Sequence, residues 1–211
     1  MVGLIGSVGS VSAQETTAGQ GIWQFDMGDF VVSSPTIVGT TLYMGSNGGT
    51  VCAIDANTGG VEWRFTDPNE PVRSSPNVVD GTVYIGDDSG TVYAITAASG
   101  EQEWSRNVGI NSTNSPVVTE GVVYVGGQSE GVYALDAASG DENWHFELDF
   151  IAQASPVVAD GTVYIGSAIG SGPPSQVYAI DAASGTEEWV SELSSSGGSV
   201  ETSPALGDGL L

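Results

Sequence analysis

The 211-residue chain carries 26 Asp and Glu against 3 Lys and Arg, for a formal net charge of −23, with one Cys, one His and 40% hydrophobic residues. Its cations are Arg64, Arg73 and Arg106, too few to neutralise nucleic-acid phosphates or an anionic lipid surface; one Cys and one His exclude a disulfide framework, a Cys-based zinc site and a His relay. Repulsion on this scale is tolerable where salt screens it, since the Debye length falls to about 3 Å at molar salt, so the composition predicts a salt-loving, haloarchaeal source, with an ordinary acidic secreted protein as the alternative.

Residues 1–13 are small and apolar, and Val11-Ser12-Ala13 fits the small-x-small pattern of a signal-peptide cleavage site, without a basic region before it. Residues 1–20 therefore read as a signal-peptide remnant or a disordered leader outside the fold. No run of about 18 apolar residues follows, so no helical membrane span is expected.

From residue 21 onward the chain repeats itself. Ser-Pro pairs stand at 34–35, 75–76, 115–116, 155–156 and 203–204, and the 5 tryptophans at 23, 63, 104, 144 and 189 all share one phase. The period is about 40 residues, stretched in the fourth unit by an insertion around Gly170–Pro174. Each unit opens with Ser-Pro and a short apolar run, then a turn: Gly39-Thr40, Asp80-Gly81, Glu120-Gly121 or Asp160-Gly161. Asp-Gly between alternating apolar residues signals a two-residue hairpin. A run with Tyr43, Tyr84, Tyr124 or Tyr164 follows, then a Gly-rich turn, then Val-Tyr-Ala-Ile or its like, with Cys52 in the first unit's Tyr slot. A Thr-Gly or Ser-Gly turn precedes the fourth run, which holds the Trp.

Period-2 alternation, β-branched and aromatic content and closely spaced turns predict strands, and no segment has helical periodicity. Four short strands per unit make the fold class all-β, a β-propeller of four-stranded antiparallel blades. Complete units are expected at about 34–66, 75–107, 115–148 and 155–192, with partial units at 21–25 and 203–211. A four-stranded sheet cannot bury both faces alone, so neighbouring blades cover them, and Trp23, Trp63, Trp104, Trp144 and Trp189 are the expected blade-junction residues.

The recurring Ala-Ile-Asp-Ala-x-[Ser/Thr]-Gly-x-x-x-Trp, as in Ala53–Trp63, Ala134–Trp144 and Ala179–Trp189, with Thr96 replacing Asp in Ala94–Trp104, closely resembles the pyrroloquinoline-quinone (PQQ) type repeat. The resemblance covers residues 21–211. It implies an eight-bladed ring, of which this chain would be a fragment of about half; association of copies through open blade faces and an unusually small ring are the alternatives. Members of that superfamily include quinoprotein alcohol and glucose dehydrogenases and a bacterial outer-membrane assembly lipoprotein. The dehydrogenases use PQQ with Ca²⁺, an Asp base and often a Cys-Cys pair. No Cys-Cys occurs here and the calcium ligands find no match, so no cofactor is expected in this chain; PQQ with Ca²⁺ belongs to the alternative, a dehydrogenase fragment whose catalytic residues lie elsewhere.

No residue is therefore assigned a catalytic, cofactor-binding or metal-binding role. Asp87-Asp88 reads as a solvated turn, Asp55, Asp136 and Asp181 as caps on turn amides, and Asp141-Glu142 and Glu187-Glu188 as solvated face. His145 reads as structural or surface, and Cys52 as a packed thiol. The units differ most just before each Ser-Pro, at 29–33, 68–74, 109–114, 150–154 and 194–202. These segments would gather at one rim, where Arg73, Asn111, Asn114 and Gln153 are the candidate binding residues. The expectation is a non-enzymatic interaction or surface scaffold whose partners are other proteins or the rest of a longer propeller, located outside the cell or on its surface, with the cytoplasm of a high-salt cell as the alternative.

Overall fold

The computed structural model describes residues 12–13, 23–109, 114–127, 131–148, 151–152, 154–168, 175–193 and 203–205. Every regular element among them is a strand. The first sheet orders β3 (Thr36–Val38), β4 (Thr41–Gly45), β5 (Val51–Asp55) and β6 (Val61–Phe65) side by side, each antiparallel to the last. The second repeats this with β7 (Asn77–Val79), β8 (Thr82–Gly86), β9 (Thr91–Thr96) and β10 (Gln102–Asn107), and the third with β11 (Val117–Thr119), β12 (Val122–Gly127), β13 (Gly131–Asp136) and β14 (Glu142–Phe146). The fourth contains β15 (Ile151–Ala152), β16 (Val157–Ala159), β17 (Thr162–Ala168), β18 (Gln176–Asp181) and β19 (Glu187–Glu192). These are the four-stranded blades that the repeat predicts.

Two features depart from the sequence reading. The short strand β15 lies in a segment read as a rim loop and pairs with the end of β17 (Ile151↔Ala168, Ala152↔Ser167). The leader is not wholly outside the fold: β1 (Ser12–Ala13) pairs with β2 (Trp23–Gln24). β1 and β2 form a two-stranded sheet of their own. The insertion around 170–174 lies outside the described residues.

Turn chemistry sets the hairpins. Asp80 and Gly81 (φ 50° and 84°), Glu120 and Gly121 (52° and 76°), and Asp160 and Gly161 (50° and 79°) all occupy the left-handed region. Two successive positive φ values define the hairpin turn whose twist matches the flanking strands. In every sheet the third-to-fourth strand pairing slips by one residue at the Trp: Ala53 faces Trp63 while Ile54 faces Val61, leaving Glu62 as the extra residue of a bulge. Glu103, Asn143 and Glu188 hold the same place.

The core lies between sheets. Val51, Ala53, Trp63 and Phe65 of the first sheet pack on Val83, Ile85, Tyr93 and Ile95 of the second, and equivalent clusters join the second to the third and the third to the fourth. Each junction Trp crosses it. Trp63 Nε1 donates to Ala97 O (2.8 Å), Trp104 Nε1 to Ala137 O (2.9 Å) and Trp144 Nε1 to Ala182 O (3.0 Å), each in the next sheet. The tyrosine beside each donates to the same carbonyl: Tyr43 at 3.4 Å, Tyr84 at 3.1 Å and Tyr124 at 3.2 Å. Ring contact demands glycine in the turn beneath; a Cβ on Gly140 would stand 2.7 Å from the Trp104 ring. Trp23 makes the same hydrogen bond to Ala56 O of the first sheet (2.8 Å). Trp189 departs from the expectation of burial, being 38% exposed.

Candidate functional site

The inner ends of the sheets are stitched by the serine of each Ser-Pro pair. Ser34 N donates to Ser75 Oγ (2.9 Å), Ser75 N to Ser115 Oγ (2.8 Å) and Ser115 N to Ser155 Oγ (2.9 Å). The first strands β3, β7, β11 and β16 lie against one another in that order. The serines of successive units are therefore neighbours at one end of the sheets.

One residue earlier, Ser33 and Ser74 are buried, and each hydroxyl donates to and accepts from one glycine of its own sheet's second strand, Gly45 and Gly86. Asn114 stands in that slot in the third unit, 3% exposed, donating to Gly126 O (3.2 Å) and Ala152 O (2.9 Å). Its amide holds the third unit to the start of the fourth. Aligning the units on Ser-Pro shows Asn114 in a serine position, a signal the sequence reading did not use. Asn111 and Gln153 lie outside the described residues.

Of the two described rim candidates, Arg73 reaches solvent, its side chain 41% exposed and ion-paired with Asp88. Burial raises the Asp88 carboxyl above its ordinary range; the Arg73 charge opposes this, while Asp87 and Glu70 add to it. Asp87 corrects the reading of this turn as solvated: it is 1% exposed. Its carboxylate accepts from Ser89 N, Ser89 Oγ, Thr91 N and the Tyr93 hydroxyl. A buried charge needs that many donors, and the turn folds its own side chain inward to obtain them. Burial and the nearby Asp87 push the Tyr93 phenol up to about 12.

A run of exposed apolar side chains within 29–33 escaped the sequence reading: Phe30 is 79% exposed, Val31 41% and Val32 61%. Its signal was present, since Phe30-Val31-Val32 is a run of three apolar residues before Ser-Pro, as Phe150-Ile151-Ala152 is in the fourth unit.

Elsewhere the acidic pairs do more than meet water. Glu142 binds Arg106 of the preceding sheet at 3.1 Å, and Glu188 accepts the Thr162 hydroxyl at 3.1 Å. Asp55 and Asp181 accept from the Thr58 and Ser184 hydroxyls and from the amides of their turns, and Asp136 from the Ser139 amide, as expected of caps, which holds their carboxyls below the ordinary range. His145 stacks on Tyr133, centroids 4.1 Å apart and planes 8° from parallel.

Calcium with a quinone needs carboxylate and amide oxygens turned toward an open space. Asp87 instead spends its carboxylate on its own turn and on the Tyr93 hydroxyl, and among the described residues no three of His, Cys, Asp and Glu converge on a metal-sized point. The described residues do not fit that group.

The family described as outer membrane protein assembly factor BamB matches residues 7–206. Among solved structures, BamB from Moraxella catarrhalis superposes with a TM-score of 0.70 at 24% identity, covering 82% of this chain and 52% of that one. A quinohemoprotein alcohol dehydrogenase from Pseudomonas putida HK5 gives 0.69 at 21% identity, covering 81% and 35%. A europium-containing methanol dehydrogenase gives 0.67 at 17%, covering 79% and 43%. The chain thus spans about half or less of the structures it resembles, and at these identities the likeness shows the fold. A comparison with the curated proteins found no match.

Proposed function

The chain belongs to the family described as outer membrane protein assembly factor BamB, and from that premise we propose that it is a non-enzymatic PQQ-like repeat propeller segment that binds other proteins at its rim, serving as an interaction or surface scaffold in a salt-loving organism. The observation that carries this reading is the exposed run Phe30-Val31-Val32 on the rim. Contiguous apolar surface bordered by polar groups marks protein-binding sites, and the half-exposed Arg73 supplies one of the chain's few positive charges on the same rim. The fold also serves quinoprotein dehydrogenases, so the discriminating experiment adds PQQ and Ca²⁺ to the purified chain. The scaffold reading expects neither cofactor absorbance nor dye-linked oxidation of alcohols or glucose; turnover by this chain overturns it. In parallel, a protein recovered with the wild-type chain from its own cells should be lost with Phe30→Asp/Val32→Asp. Undiminished recovery would move the contact off this run.

A further inference from the structure

At the opposite ends of the strands from the rim, the third unit breaks a pattern that the other three keep. The bulge residue before each Trp is re-aimed across its sheet, and Glu62, Glu103 and Glu188 accept the hydroxyls of Thr41, Thr82 and Thr162 at 3.1, 3.2 and 3.1 Å. In the third sheet these two places hold Asn143 and Val122, and valine has no hydroxyl to give. A cleft of about 310 Å³ opens there between the third and fourth sheets, its wall including Glu120, Val122, Tyr124, Asn143, Trp144 and Asp181. That volume is at the low end of the range for small-ligand sites, about 300–1,000 Å³.

The wall has a definite chemistry. Tyr124 and Trp144 stand with centroids 5.9 Å apart at 48°, and both are fixed by hydrogen bonds to Ala182 O. Glu120 rides on the β11–β12 turn, and Asp181 ends β18. The Ser184 hydroxyl and amide hold Asp181 in its anionic form. No Lys, Arg or His lines the cleft. Tyr124 is buried and backs the half-buried Trp144 indole; an indole with flanking carboxylates favours an organic cation, through the negative ring face and direct charge attraction together.

We propose that this cleft receives the protonated side chain of a lysine or arginine from a partner protein, its cationic head against Trp144 and within reach of Glu120 and Asp181. The net charge of −23 draws such a basic segment toward the chain. The site is distinct from the rim and stands or falls independently of it.

Calorimetric titration of the full chain tests this with a Gly-Ser-Lys-Ser-Gly peptide, the same peptide bearing norleucine for lysine, and cadaverine. Saturable binding of the lysine peptide alone, or of the lysine peptide more tightly than cadaverine, is expected. Glu120→Gln should weaken it about fivefold or more. Val122→Thr/Asn143→Glu restores the pairing that three sheets already tolerate, and should weaken binding despite the added negative charge. Equal binding of the norleucine peptide, no saturation, or double-variant binding as tight as wild type overturns the proposal. Cadaverine binding as tightly as the peptide overturns its assignment to a partner's side chain.

Discussion

Cys52 stands where the other three units place Tyr93, Tyr133 and Tyr178, and the smaller side chain belongs to a different neighbour. With Ile54 it packs on Met27, against Trp23, Phe25, Leu42 and Met44, fully buried. Burial pushes its thiol up to about 11, with the nearby Arg64 only partly opposing. The thiolate is the reactive form, so Cys52 in the folded chain should resist iodoacetamide at pH 8 and label fully once urea unfolds it; rapid native labelling would contradict this packing. The Asp87 turn teaches the opposite lesson about reading residues. Two adjacent aspartates in a Gly-rich turn look solvated, because the four donors that bury Asp87 are assembled by the fold and include Tyr93 from the following strand.

At the scale of elements, the recurring Ser-Pro is explained by the serine. Its hydroxyl receives the amide of the preceding unit's serine, so each unit stitches the one before it. Ser115→Ala leaves the Ser75 amide without its acceptor and should cost about 1–2 kcal/mol in urea unfolding, with Ser115→Thr retaining most of it; no loss from the alanine variant would mean that water replaces the bond. Strands and hairpins were legible in the sequence because positive φ restricts which residues can turn, and alternation names the buried face. The bulges were not. A glutamate before a tryptophan on an outer strand looks like solvated face, and only pairing register reveals that it is an extra residue turned toward a threonine some 20 residues upstream. The same limit hid Val122 and Asn143, two ordinary residues whose meaning appears only when all four units are compared at that place.

For the whole molecule, the opposing terms are self-repulsion among 26 acidic residues and the burial between sheets. Salt removes the first and leaves the second, so melting temperature should rise by several degrees between about 0.1 M and about 3 M KCl; an unchanged value would sink the proposal of salt adaptation. At the higher salt, stability should hold from neutral pH down and be lost only as pH falls toward and below 3.8. Asp55, Asp136 and Asp181 have folded pKa values below that unfolded value, so protonation drains the stability they supply at neutral pH. What holds the sheets in sequence is the indole that each one lays on the glycine turn of the next, sealed by the shared alanine carbonyl. Urea unfolding of Trp104→Ala beside Trp189→Ala tests this most directly, since Trp104 is 8% exposed inside a junction and Trp189 is 38% exposed. Trp104→Ala should cost about 3–5 kcal/mol and Trp189→Ala less than about half of that; equal losses, or a Trp104→Ala loss below about 1 kcal/mol, would contradict a fold held together at its tryptophan junctions.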